Sequence, residues 1–191
     1  MRIIAGSLRG LKLKTPKGMT TRPTSDRVKE SLFNILGTRV YHAKVLDLFA
    51  GTGNLGLEAL SRGALQAVFV DRVTANLIHK NLVKTRLEAK ARVFSQDVEQ
   101  VLKRLANKGE IFDLLFADPP YHQGLAERTL TILAAHPALL STSGLCMIEH
   151  EGEKVLPEAV GAWKKTRVRG YGKTTAISFY AQRTEIEEET R

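Results

Sequence analysis

The apolar pattern along the chain changes character at about residue 44. Before it, Ile3-Ile4-Ala5 and Leu11-Lys12-Leu13-Lys14 flank a turn region carrying Gly6, Ser7 and Gly10, which predicts a small hairpin. Pro16-Lys17-Gly18 reads as a turn. A helix then starts with Ser25 or Asp26 as N-cap, lines up Val28, Leu32, Ile35 and Leu36 on one face, and stops at Gly37. From residue 44 short apolar runs alternate with amphipathic stretches. Strands are expected at Val45–Phe49, Ala67–Val70, Arg92–Ser95, Phe112–Ala117 and Leu145–Ile148. Helices are expected at Asn54–Arg62, Val73–Leu87, Val98–Lys108 and Gly124–Ala135. Thr166–Gly170 and Thr174–Ala181 read as a closing antiparallel pair. Strand–helix alternation requires right-handed crossovers, so the expected fold is α/β: a doubly wound, mostly parallel sheet with helices on both faces. A terminal antiparallel strand is a common ending for such a sheet.

Composition narrows the class. Of 191 residues, 43% are hydrophobic, enough for a packed core and too many for a disordered chain. The single cysteine, Cys146, excludes a disulfide framework and a cysteine-built zinc site. No apolar run approaches the roughly 18 residues that span a bilayer. Met1–Gly6 lacks the apolar core of a secretory signal, although the acid-free stretch before Asp26 has the basic character of a transit peptide. A reducing cytoplasm and no membrane are therefore expected.

The net charge of +9 is uneven. Residues 1–44 hold ten basic and two acidic side chains, and residues 160–183 hold six basic and none acidic. The stretch between them is nearly balanced, and 184–191 is an acidic tail. Clustered basic charge releases counterions from a polyanion and so favours nucleic acid. A solvated basic face with no partner would look the same on charge alone.

Two motifs carry chemistry. Gly51-Thr52-Gly53-Asn54-Leu55-Gly56 fits G-x-G-x-x-G between an expected strand and helix. Its glycines permit a tight turn and close approach of a ligand. Asp71, 20 residues after Gly51 and at the end of the second strand, suits the two ribose hydroxyls of an adenosine. A dinucleotide and S-adenosylmethionine both contain that adenosine. Asp47 favours the second, because an anion four residues before Gly51 opposes pyrophosphate and suits the ammonium of a methionine moiety. A loop shaped only for a turn is the plain alternative.

The second motif, Asp118-Pro119-Pro120-Tyr121, follows the apolar Ile111–Ala117 and so sits at the carboxyl end of the fourth strand. Open α/β sheets bind ligands at that end. An exocyclic amine of a nucleobase is a poor nucleophile because its lone pair is delocalised into the ring. Two acceptors holding its two N–H groups turn the lone pair toward an electrophile. The Asp118 carboxylate is one, and the Pro119 carbonyl, aimed by the rigid proline pair, is the other. Tyr121 offers a flat face on which an extruded base stacks. A proline turn with a packed aromatic is the plain alternative.

These residues together resemble a known family. Asp47-Leu48-Phe49-Ala50-Gly51-Thr52-Gly53 with Asp118-Pro119-Pro120-Tyr121 is similar to class I S-adenosylmethionine-dependent amino-methyltransferases. Met1–Gly6, Arg22-Pro23-Thr24, Glu30-Ser31-Leu32-Phe33-Asn34-Ile35-Leu36 and Arg169-Gly170-Tyr171-Gly172-Lys173-Thr174 resemble the bacterial RsmD family, from residue 1 to about 181. That resemblance implies methylation of N2 of a guanine in small-subunit 16S ribosomal RNA, by direct transfer and without a metal. It implies a seven-stranded Rossmann-like sheet in residues 38–183, with a basic RNA-binding hairpin and helix in 1–37. By position it places Asp47, Phe49, Gly51, Gly53, Asp71, Arg72, Asp97 and Val98 at the cofactor, with Asp97 on the adenine amine and Val98 on the ring. Asp97 serves equally as an N-cap. Asp118, Pro119 and Tyr121 fall to the target base.

Arg2, Arg9, Lys12, Lys14 and Arg22 are candidate phosphate contacts, which position RNA without reading it. Arg167, Arg169 and Lys173 beside Tyr171 suit a splayed strand. His42, His79, His122, His136 and His150 show no metal-ligand spacing. Cys146 reads as core and Glu58 as exposed or structural, while Trp163 reads as core or a stacking platform. A monomer acting on 16S RNA or the small subunit is expected. A DNA adenine-N6 methyltransferase, a protein glutamine methyltransferase, a non-catalytic RNA-binding assembly factor and a dinucleotide oxidoreductase remain as rivals.

Overall fold

The computed structural model describes residues 1–16, 26–121 and 124–183. The expectations placed on Lys17-Gly18, Arg22, Ser25, His122 and the tail 184–191 lie outside the described residues. The chain forms two compact units, Met1–Val101 and Leu102–Arg191.

In the first unit, helix α1 spans Asp26–Leu36 and buries Val28, Leu32, Phe33 and Leu36. Strands β1 (Lys44–Leu48), β2 (Gln66–Val70) and β3 (Ala91–Phe94) pair in parallel in the order β3-β2-β1. Helices α2 (Asn54–Ser61) and α3 (Ala75–Thr85) make the crossovers. Successive right-handed crossovers in one direction place both helices on one face. Val45, Leu46, Leu48, Val68, Phe69 and Val70 are fully buried, as near-continuous apolar runs in covered parallel strands require.

The hairpin is present as a ladder without extended strands: Ile3 N–H donates to Leu11 O, Gly10 N–H to Ile3 O, and Leu13 N–H to Met1 O. Ile3 and Leu13 are buried. Gly6, at φ +84°, lies so close to the end of α2 that an added Cβ would stand 1.9 Å from the Ser61 carbonyl oxygen. A side chain there is excluded by contact as well as by φ.

In the second unit, β4 (Phe112–Ala117) pairs in parallel with β5 (Leu140–His150), crossing over through helix α5 (Leu125–Ala134). Then β5 pairs antiparallel with β8 (Thr175–Gln182), β8 with β7 (Trp163–Tyr171), and β7 with the two-residue β6 (Ala159–Val160). Helix α4 (Val98–Asn107) lies on both sides of the boundary between the units.

Among the differences from expectation, three have a physical reason in the structure. The third helix starts at Ala75 rather than Val73, because the Asp71 carboxylate takes the Val73 and Thr74 amides and holds the chain in a turn. Strand β5 is 11 residues long; its pairing with β4 passes from Leu140 to Leu145 across a register shift, and the polar residues between them leave no apolar pattern. The described residues contain eight strands rather than seven, β6 being too short to leave a periodic signal.

Candidate active site

The glycine loop is built from below by β1 and from the side by Asp71. After Leu48 the chain turns through Phe49 at φ +56°, Gly51 at φ +58° and Gly53 at φ +79°. Left-handed backbone suits glycine but costs energy at a bulky residue such as Phe49, and such strain clusters at ligand loops. Gly53 N–H donates to Ala50 O, and α2 begins at Asn54. An added Cβ at Gly51 would meet only the Phe49 carbonyl oxygen, at 4.0 Å, so open space lies beside the loop. At Gly56 an added Cβ would stand 2.3 Å from Phe69, so the third glycine serves helix–strand packing.

Asp71 explains its own spacing. Its Oδ2 accepts from Gly51 N–H at 2.9 Å, and its Oδ1 accepts from Val73 and Thr74 amides at 2.8 and 2.7 Å. Thr74 Oγ1 donates to Gly51 O, so the first glycine is held on both sides. Asp47 is buried, and its Oδ2 accepts from Gly56 N–H at 2.8 Å. Burial pushes its carboxyl up to about 7; the Gly56 bond opposes this and the neighbouring Asp71 charge adds to it. Asp97 is exposed and accepts from Glu99 N–H at 2.9 Å, the geometry of a cap on α4, with Val98 buried beside it. The side chain of Arg72 is exposed.

Sequence reasoning missed what anchors this loop. Lys29 and Glu58 form a fully buried ion pair at 3.0 Å. Lys29 Nζ also donates to Arg2 O and Asn54 Oδ1. Glu58 accepts from the Ile4 and Ala5 amides and from Arg62. Burial lowers the Lys29 pKa, and Glu58 opposes the shift. Glu58 is thus structural and buried. Asn81, also buried, donates to Thr52 O and Lys14 O and accepts from Lys14 N–H. A lysine amid the apolar positions of α1, and an asparagine amid those of α3, are the signals that could have flagged them.

In the second unit, Asp118 follows β4 and is half-buried, Pro119 is buried, and Pro120 is exposed. Tyr121 is pinned. Its hydroxyl donates to Glu149 Oε1 at 2.5 Å, which leaves Thr175 Oγ1, 3.1 Å away, to donate to the phenol oxygen. Burial and the bond to Glu149 push the Tyr121 pKa well above the ordinary range. Glu149 on β5 and Thr175 on β8 carry no motif, and only strand pairing brings them to Tyr121. Pro119, Pro120, Tyr121, Gly124, Glu149 and Lys154 help line an open concavity. His150 borders it with both ring nitrogens engaged, Nε2 to Ser178 Oγ and Nδ1 to Glu151 O, and burial lowers its pKa.

Of the basic candidates, Arg2 pairs with Asp26 at 2.8 Å, while Arg9, Lys12 and Lys14 are exposed along the hairpin. The register shift between Lys165 and Arg167 leaves Arg167, Arg169 and Tyr171 alternating on one face of β7, with Lys173 in the turn that follows. Cys146 and Trp163 are fully buried, so Trp163 belongs to the core. Among the described residues no group of three or more His, Cys, Asp or Glu is gathered to hold a metal ion, and no helix is long and apolar enough to cross a membrane.

A family model described as Conserved hypothetical protein 95 matches residues 1–181. The Bacillus subtilis (strain 168) protein YlbH is 40% identical over 185 residues, covering 96% of this chain and 100% of its own. Ribosomal RNA small subunit methyltransferase D of Escherichia coli (strain K12) is 40% identical over 174 residues, covering 90% of this chain and 85% of its own. The solved structure of the Escherichia coli protein yhhF superposes with a TM-score of 0.82 at 38% identity, covering 97% of this chain and 99% of that one.

Proposed function

Because the chain belongs to the RsmD family of ribosomal RNA methyltransferases, we propose that it methylates the N2 amine of guanine 966 in small-subunit 16S RNA. The methyl donor is S-adenosylmethionine. The residues present suit it: Gly51 has open space beside it, and Asp71 stands at the loop as a ribose acceptor. A carboxylate has about four lone-pair positions, and with three taken by the Gly51, Val73 and Thr74 amides Asp71 keeps about one for a ribose hydroxyl. Asp47 would balance the ammonium, and Phe49, Gly53, Arg72, Asp97 and Val98 would line the rest of the cofactor site. When bound, the cofactor supplies a methyl group on a cationic sulfur that leaves with the bonding electron pair under direct in-line attack.

The chain's own groups do the rest. Asp118 and the Pro119 carbonyl accept the two N–H bonds of the amine and turn its lone pair outward. Both stabilise the positive charge that develops on nitrogen. Asp118 or water then takes the proton. Tyr121 stacks the extruded base, and extrusion costs a few kcal/mol that stacking and phosphate contacts offset. The basic residues of 1–37, with Arg167, Arg169 and Lys173, hold the RNA. The enzyme acts as a monomer, in the cytoplasm where its substrate lies.

One observation supports this reading most: Tyr121, two residues beyond the proline carbonyl, is locked by Glu149 and Thr175 and so is a rigid platform. The test is transfer of labelled methyl from S-adenosylmethionine into small-subunit RNA, naked or assembled, from cells lacking this protein. N2-methylguanosine in the digest is the expected product. Asp118→Ala is expected to lower transfer at least about 100-fold while cofactor affinity stays within about threefold. Near-normal turnover in that variant would remove Asp118 from the catalytic role.

A further inference from the structure

Asp118 and the Pro119 carbonyl would hold any exocyclic amine, so they do not by themselves tell guanine from adenine. We infer that Glu149 and Lys154 read the Watson–Crick edge of the target base and select guanine, an inference that rests on the proposed function.

The concavity beside Pro119 and Tyr121 is open to solvent on one side, so a base edge can enter it. Its charged walls differ in kind. Glu149, 9% exposed, accepts the Tyr121 proton and is therefore an acceptor group. Lys154 lines the same space, its Nζ 3.7 Å from where a Cβ on Gly124 would stand. The Lys154 charge also acts on the His150 ring, which is engaged at both nitrogens and offers the base no strong donor.

One acceptor and one cationic donor match one purine. Guanine presents two adjacent donors, N2–H and N1–H, and then an acceptor, O6. With both N2–H groups held by Asp118 and the Pro119 carbonyl, the Glu149 carboxylate takes N1–H and the ammonium takes O6. Adenine presents an acceptor at N1 and a donor at N6, so both walls would meet like-facing dipoles. Holding Tyr121 and a base edge are compatible roles for one carboxylate, which has about four lone-pair positions.

The test uses small-subunit RNA ligated to carry either guanine or 2,6-diaminopurine at the target position, naked and assembled into particles. Diaminopurine keeps the N2 amine but has an acceptor at N1 and a donor in place of O6. Wild-type protein is expected to methylate it at least about tenfold more slowly than guanine under single-turnover conditions. Glu149→Gln, which can donate to N1, is expected to narrow or invert that ratio, and Lys154→Met to narrow it. A purely structural role for Glu149, through Tyr121, lowers both rates together and leaves the ratio unchanged, which would overturn the inference. Equal wild-type rates on the two RNAs would overturn it too. No N2-methylation of the guanine RNA by wild-type protein would instead overturn the proposed function beneath it.

Discussion

Tyr121 shows how one side chain is fixed by two partners from different strands. Its single proton is committed to Glu149, and its oxygen is left to Thr175. Tyr121→Phe keeps the ring and removes one hydrogen bond each from the largely buried Glu149 carboxylate and Thr175 hydroxyl, at a cost of about 1–3 kcal/mol. Urea unfolding should show a lower midpoint with an unchanged slope. Asp47 makes a pH-dependent contribution of opposite character. Its folded pKa of about 7 lies above the ordinary carboxyl value of 3.8, so the folded state binds the proton more tightly. The stability it lends is therefore present below about pH 4 and is lost as pH rises through about 7. The change amounts to roughly 4 kcal/mol across that window. Comparing unfolding at about pH 5 and about pH 8, wild-type protein should lose stability with rising pH, and Asp47→Asn should lose less. An ammonium beside Asp47 favours its ionised form, so cofactor affinity in the wild type should rise between the same two values. Isothermal titration at each of them measures it.

Among elements, the hairpin is fastened to α2 by charge as well as by packing. Glu58 takes the Ile4 and Ala5 amides, while Lys29 on α1 bridges Glu58, the Arg2 carbonyl and Asn54 at the head of α2. Breaking a buried pair from one side leaves an uncompensated charge and costs about 3–5 kcal/mol. Lys29→Met should reach that range and should also speed hydrogen exchange at Ile4 and Ala5, whose shared acceptor it disturbs. Equal exchange rates in variant and wild type would mean that Lys29 does not contribute to holding the hairpin. On β7 the basic side chains have two uses. Lys165 donates to Leu156 O and pairs with Glu158, bracing the turn into β6. Arg167 and Arg169 stay exposed.

For the molecule as a whole, the formal charge of +9 concentrated in two stretches of chain sets how RNA binding responds to salt. Removing one phosphate-binding cation should reduce the slope of log affinity against log salt by about 0.7 for single-stranded RNA. Arg167→Ser with Arg169→Ser should therefore weaken binding and flatten the slope by roughly 1.4. Filter binding between low and moderate salt reads both quantities. An unchanged slope would make the strand's charge a guard against edge-to-edge pairing rather than an RNA contact.

Local pattern determined much of this protein. Apolar runs placed the cores of the longer strands, helical spacing placed the five α-helices, and two motifs marked the glycine loop and the proline turn after β4. These signals are readable because each rests on neighbours within one turn, one strand or one short motif. Glu149 and Thr175 reach Tyr121 only because β8 pairs antiparallel with β5. Lys29 meets Glu58 only when α1 packs against α2, and β6 exists only as a partner for β7. The side-chain contacts among them join residues 28 to 54 positions apart, between elements whose own sequences satisfy strand or helix equally well without them. Only tertiary structure decided them, because the free energy that selects such pairs comes from burial, which no local pattern records.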